Sequence, residues 1–335
     1  MHDMKPNELL SIAIPTYNRA IVLKKQLIDL IEKVRPHNVA IYISDNASPD
    51  NTQEVIAEMR KKYQFLYSSR NEKNIGGDRN FEKVLKMSSS QYTWLLGDDD
   101  TIRNGGIEKV LEIINKNIFY DLIIINGLIH NKTTLLKPYL KTKIYTDHNE
   151  LLEDLWPITT WMSTLVLSSD MIRKANFCKY YDTNFVHSGT VFDYLALKDT
   201  ISVFWEDSPV LTQPKADEIV NYYTDKCLFY FTQCWVDILF LLPDRYSQKS
   251  KLKVAHLSPI TILTLASFRG KKYFNYQEAK KYKKYFKYTT SIPFPIIAII
   301  SVSPSCILKL LEKPARFIQK AIGRYIMKRN SKYIN

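Results

Sequence analysis

Four short segments gather residue types that can do chemistry together: PTYNR at 15–19, SDNASPDNT at 44–52, NIGGDRN at 74–80 and GDDD at 97–100. The last is the most demanding. Asp98, Asp99 and Asp100 are adjacent like charges, and their repulsion has to be offset by a cation or by a set of donors. A hard ion such as Mg2+ or Mn2+ takes one or two carboxylates and completes its shell with phosphate oxygens, so the triplet points to a metal diphosphate. Aspartates also cap helices, and DDDTIRNGGIEKV does run into one. Capping accounts for one or two of the three, and leaves Asp45 and the other clusters unexplained. In NIGGDRN, Gly76 and Gly77 would let the backbone approach a phosphate while Arg79 pairs with an anion. The segment is neither G-x-G-x-x-G nor a Walker loop, and two glycines in a turn need no ligand.

The elements that must position these segments are legible in the hydrophobic periodicity. Short β-rich runs at 9–15, 39–44, 65–69, 92–97 and 120–126 alternate with helical patterns such as IVLKKQLIDLIEKV and TQEVIAEMRKKY. Alternation of this kind predicts a mostly parallel sheet with helices on both faces. Ligands of such sheets bind beyond the carboxyl ends of the strands, where PTYNR, SDNASPDNT and GDDD all fall. Further on, STLVLSS reads as a strand, VFDYLALKD as the start of a helix, and the chain beyond Pro214 as mainly helical. Cys227 and Cys234, a heptad apart, read as core packing, and the four cysteines show no C-x-x-C spacing.

The charge is uneven. Residues 249–335 hold 19 Lys and Arg against Glu278 and Glu312, a local +17 where the whole chain carries +13, so residues 1–248 carry −4. The basicity therefore belongs to the C-terminal quarter and suits an anionic membrane surface or nucleic acid. Residues 289–308 are uncharged over 20 positions, long enough to cross a bilayer, although Pro293, Pro295 and Pro304 favour a surface-lying or re-entrant segment as readily. Residues 310–328 place apolar side chains on one helical face and Lys313, Arg316, Lys320, Arg324 and Lys328 on the other, the pattern of an interfacial helix. The N-terminus lacks the apolar run of a signal peptide, so the chemistry is expected on the cytoplasmic side.

SIAIPTYNR, SDNASPDNT, NIGGDRNF and WLLGDDD, in this order and spacing, resemble the inverting family 2 glycosyltransferases with the GT-A fold, and within them O-antigen sugar transferases of the abequosyltransferase type. The resemblance is specific over 8–126, looser to about 210 and absent beyond. It implies a Rossmann-like α/β catalytic domain at 1–210, with a nucleotide-sugar half at 1–126 and an acceptor half at 127–210. A helical, basic, membrane-associating region would follow at 211–335. It implies that Pro15, Tyr17, Arg19 and Asp45 line the nucleoside pocket, that Gly77 and Arg79 lie near the base or diphosphate, and that Asp98, Asp99 and Asp100 form the D-x-D site. Asp100 and Asp98 would be the metal ligands, with Asp99 able to exchange roles.

An inverting transfer needs a base to deprotonate the acceptor hydroxyl. The family places a carboxylate about ninety residues past the D-x-D, often as Glu-Asp opening a helix. Asp193 is the match here, preceded by Phe192 instead of Glu, with His187 as a rival. Trp156, Trp161 and Tyr194 are candidate sugar-stacking faces. The expected activity is metal-dependent transfer from a nucleotide-sugar donor to a lipid-linked oligosaccharide in O-antigen or capsule synthesis, at the cytoplasmic face of the inner membrane. The alternatives are a polyprenyl-phosphate sugar transferase, a catalytically dead membrane scaffold, and a nucleic-acid binder using KKYFNYQEAKKYKKYFKYTT. Nucleic acid is not the expected partner, because that reading leaves the first 126 residues without a role.

Overall fold

Strand β1 (Leu10–Thr16) is buried over its whole length in a computed structural model that describes residues 5–116, 118–129, 134–213 and 226–308. A central strand with neighbours on both edges has no use for a polar face, which is why LSIAIPT does not alternate. β2 (Ala40–Asp45) and β3 (Leu66–Arg70) extend the sheet on one side of β1, and β4 (Tyr92–Leu95) on the other, all parallel. α1 (Ala20–Val34), α2 (Thr52–Lys62) and α3 (Gly77–Lys86) lie between them in the chain. α1 buries Ala20, Leu23, Leu27, Leu30, Ile31 and Val34, a stripe at helical spacing. The strand order reverses at β1, so the crevice beyond Thr16 and Leu95 is the topological switch point of the sheet.

The chain continues through β5 (Thr101–Ile102), α4 (Gly106–Ile114), β6 (Leu122–Ile129), β7 (Thr134–Leu135), β8 (Lys143–Tyr145), α5 (His148–Thr159), β9 (Leu165–Ser168), α6 (Ser169–Lys174), α7 (Val186–Ala196) and β10 (Val203–Thr212). The five strands expected in the first 126 residues are present. STLVLSS does form a strand, β9, but it runs antiparallel between β4 and β6, which makes the ten-stranded sheet mixed. β10 pairs in parallel with β6 and had no counterpart in the periodicity. Its sequence VFWEDSPVLT is broken by Pro209, and the ladder absorbs that residue through register shifts between Glu206 and Pro209 and between Pro209 and Leu211.

α7 also differs from expectation. It begins at Val186, so Asp193 stands well inside the helix and not at its start. Every residue from Val186 to Leu195 is buried, and a helix covered on all sides shows no amphipathic stripe from which its start could be read.

The chain packs as two units, Met1–Val220 with Leu241–Lys251, and Asn221–Phe240 with Leu252–Asn335. The return into the first unit is anchored by Tyr246, whose hydroxyl donates to Phe192 O at 2.8 Å. The second unit is helical. Its core joins Leu228, Val236, Leu265, Phe274, Phe286 and Ile297, and Cys227 and Cys234 are buried as expected. Within 289–308 one helix covers Phe294–Val302 and another starts at residue 305 after Pro304, and no helix among the described residues is long and apolar enough to cross a membrane. The amphipathic segment expected at 310–328 lies outside the described residues.

Candidate functional site

Arg19 follows β1 across the switch point from the aspartate triplet and joins two of its members. Its guanidinium donates through one nitrogen to Asp98 Oδ1 at 2.6 Å and through the other to Asp99 Oδ2 at 2.7 Å. Thr16 Oγ1, at the last position of β1, donates to Asp98 Oδ2 at 2.7 Å. Asp98 therefore has both oxygens engaged, yet burial, resisted by Arg19 and reinforced by Asp99, pushes its carboxyl up to about 6.

Asp100 is held differently. Trp161 Nε1 donates to its Oδ2 at 2.6 Å, and Ser163 Oγ donates to the same oxygen. Both donors are neutral. Burial, and after it the charge of Asp99, push the Asp100 carboxyl well above the ordinary range against the pull of Ser163 and Trp161. A Cβ on Gly97 would stand 2.9 Å from Asp100 Oδ2 and 3.3 Å from Asp99 Oδ1, so the two carboxylates close over a position that only glycine leaves open. α1 fixes the loop from below, since Gln26 Nε2 donates to Asp100 O at 2.8 Å and also to Gly97 O.

One guanidinium thus faces three carboxylates, and the member it does not touch is the one whose charge is most penalised. Asp98, expected as a ligand beside Asp100, has its oxygens taken by Thr16 and Arg19, so the donors open to a hard divalent cation are Asp100 with Asp99. Among the described residues no group of three or more His, Cys, Asp or Glu is arranged to hold an ion.

The loop after β2 is built as a polar network. Asp45 is fully buried, its oxygens accepting from Ser48 N at 2.9 Å and Gln53 Nε2 at 2.6 Å, and its place is behind the loop surface. Asn46 N donates to Thr16 O at 3.0 Å, and Asn46 Oδ1 accepts from Asn71 Nδ2 and Ile75 N, both at 2.9 Å. Asn80 closes the network onto Ser44. These asparagines, with Thr16, Gln26 and Ser163, were not singled out from the sequence. Asn46, Asn71 and Asn80 sit inside or beside quoted segments, whereas nothing local marks Gln26 or Ser163.

Pro15 is buried in β1, and Tyr17 beyond it is exposed. Gly77 opens α3, and a Cβ there would meet nothing within 4 Å, so its backbone faces open space. Arg79 forks onto Asp182 at 2.9 and 3.3 Å and stands 4.4 Å over the Tyr181 ring, tying α3 to the loop before α7. Asp193 takes Lys179 Nζ at 2.5 Å and Tyr180 OH at 2.8 Å on one oxygen, and none of its hydrogen bonds among the described residues reaches the triplet. Trp156 and Tyr194 are core residues and not stacking faces, Tyr194 pointing its hydroxyl at Asp170. Trp161 serves Asp100 through its N–H.

His187 is buried on α7, its Nε2 donating to Thr160 O at 3.2 Å, next to the loop that carries Trp161 and Ser163. Burial pushes its imidazole down to about 4, too low for an efficient base near neutral pH. A folded value below the unfolded 6.5 means that protonation favours unfolding, so this stability is complete above pH 6.5 and is lost as pH falls toward 4. His187→Gln keeps the donor without the titration. Urea denaturation over pH 4 to 8 is expected to show wild type losing about 3 kcal/mol more than the variant across that window.

Trp161→Phe removes a single N–H from Asp100. It is expected to weaken Mn2+ binding about tenfold, read by the electron paramagnetic resonance of free Mn2+. Gly127→Ala should act in the same direction, because a Cβ there would stand 2.6 Å from the Trp161 ring.

The curled, mostly parallel sheet with an acidic cluster at its switch point is the architecture of the GT-A glycosyltransferases. The mannosyltransferase PcManGT from Pyrobaculum calidifontis, in complex with GDP-Man and Mn2+, superposes with a TM-score of 0.53 at 12% identity, covering 92% of this chain and 89% of that one. The sequence model of glycosyl transferase family 2 matches residues 11–165, so the chain carries a domain of that family. Abequosyltransferase RfbV of Salmonella typhimurium is 40% identical over 97 residues, 28% of this chain and 29% of the relative. The GalNAc(5)-diNAcBac-PP-undecaprenol beta-1,3-glucosyltransferase of Campylobacter jejuni is 26% identical over 133 residues, 39% of this chain and 41% of the relative. The alignments thus span less than half the length of either curated relative.

Proposed function

We propose that the chain transfers a sugar, with inversion, from a nucleotide-sugar donor to a lipid-linked glycan during cell-surface polysaccharide synthesis. The observation that carries this reading is the triplet at the switch point, two carboxylates clamped by Arg19 and the third buried against neutral donors. The relatives whose names specify an abequosyltransferase and a glucosyltransferase acting on a diphospho-undecaprenol glycan support the reaction class and the acceptor class.

In this reading Asp100, with Asp99, holds a Mg2+ or Mn2+ ion, which when bound offsets charge on the leaving diphosphate. Arg19 and Thr16 fix Asp98 at the donor's edge, and Tyr17 offers its exposed ring to the nucleoside. Asp45 acts from behind, shaping the loop that meets the base. The open backbone at Gly77 admits the diphosphate, and Arg79 adds positive charge once it leaves Asp182. The acceptor half, 127–210, supplies the base. Asp193 is assigned that role, and to accept the hydroxyl proton it must exchange Lys179 for the acceptor. The basic C-terminal region holds the chain peripherally at the anionic cytoplasmic face of the inner membrane, where a lipid-linked acceptor resides.

Radiolabelled nucleotide sugars offered one at a time with a lipid extract and Mn2+ test the proposal. Label from one donor is expected in the lipid fraction, with anomeric configuration opposite to the donor's by NMR. Retained configuration, or no transfer from any donor, would contradict it. Asp193→Asn should lower kcat with little change in donor KM, whereas His187→Gln should leave both near wild type.

A further inference from the structure

Within the second unit, Lys280, Lys281, Lys283, Lys284 and Lys287 line one open cavity of about 710 Å3, together with Phe294 and others. From Ala279 to Leu308 the sequence contains no Asp or Glu. Aromatic faces carry the lysine ammonium groups: Lys283 Nζ lies 4.8 Å from the Phe294 ring centroid, Lys284 Nζ 4.7 Å from that of Tyr285 and Lys287 Nζ 4.5 Å from that of Tyr288. None of the five makes an ion pair with a carboxylate among the described residues. The charge is displayed and not neutralised.

The helix Phe294–Val302 begins at the rim of this cavity. It buries Ile297 and Ile300 in the unit's core and exposes Ile296, Ile299 and Val302 at 41%, 63% and 61%. These three are spaced i, i+3 and i+6, so they form one stripe facing solvent. An uncharged stripe of branched apolar residues beside a lysine cluster matches a single kind of surface, one with anionic groups at its plane and hydrocarbon a few ångströms below.

We infer that this face is a docking site for an anionic phospholipid bilayer, the lysines taking headgroup phosphates and Ile296, Ile299 and Val302 entering the acyl boundary. The inference rests on the membrane-surface reading above and locates it in residues 280–302, separate from the segment 310–328. Single-stranded RNA would use the cations and rings but has no use for the apolar stripe.

The test is sedimentation of the full chain with vesicles of phosphatidylcholine alone or with phosphatidylglycerol added. Wild type is expected to bind only the anionic vesicles, and less at high salt. Substituting K283E/K284E/K287E is expected to weaken that binding by at least about tenfold, and I299S/V302S to weaken it while leaving the salt dependence in place. Thermal unfolding checks that the variants fold, and K284A/K287A is the milder second variant. Wild-type binding with undiminished binding by folded lysine and isoleucine variants would leave the membrane reading standing and overturn this site. Equal binding to neutral vesicles, binding to neither, or tighter binding to an RNA oligonucleotide than to anionic vesicles would overturn the inference. Sugar transfer to solubilised lipid reports separately on the reaction.

Discussion

Asp100→Asn is expected to slow transfer severely and at the same time to stabilise the metal-free protein. Asn Oδ1 can accept from Trp161 and Ser163 as Asp100 Oδ2 does, so the local geometry survives while one buried negative charge is lost. Activity should fall on the order of 1000-fold, the effect of removing a preorganised electrostatic contact. Stability moves the other way because the folded state raises the Asp100 carboxyl above its unfolded value. An acid raised on folding binds its proton more tightly in the native state, so native stability falls as pH climbs through the window above about 4. The gain from the substitution is therefore expected to be absent below pH 4 and to grow to about 1–3 kcal/mol near pH 8. Thermal unfolding of both proteins across that range, without and with Mn2+, checks it. Mn2+ should raise the melting temperature of wild type and leave that of the variant unchanged.

Arg19→Ala should have the opposite signature. Removing the guanidinium leaves Asp98 buried without its cation and Asp99 without a partner, a loss of about 3–5 kcal/mol of the kind seen when one side of a buried ion pair is deleted. Arg19→Lys restores charge but not the fork that spans two carboxylates, and should recover only part of it. Denaturant titration at pH 7.5 distinguishes the three proteins. Adding Mn2+ should narrow the gap between Arg19→Ala and wild type, because both cations answer the same repulsion.

The GT-A half was legible in the sequence because each of its strands ends in a polar cluster and its helices keep one wet face. Asp98, Asp99 and Asp100 could be chosen from their mutual repulsion, and Arg19 from the resemblance that PTYNR carries. Their partners could not. Gln26 reads as one more polar residue on α1, and Ser163 and Trp161 lie more than sixty residues from Asp100, brought there by the antiparallel insertion of β9. β10 was hidden by Pro209 inside a strand, and the true start of α7 by the helix's burial on every side. Asp193 was chosen by distance along the chain from the triplet, a criterion blind to Lys179 and Tyr180, which now occupy it.

The central claim is that the triplet receives a nucleoside diphosphate with a divalent ion. Isothermal titration of a panel of nucleoside diphosphates into the full chain, with and without Mn2+, tests it most directly, with Asp100→Asn alongside. The account predicts binding of one nucleotide that requires Mn2+ in wild type and disappears in the variant. Nucleotide binding that is indifferent to Mn2+ and to the substitution, or no binding of any nucleotide, would contradict it.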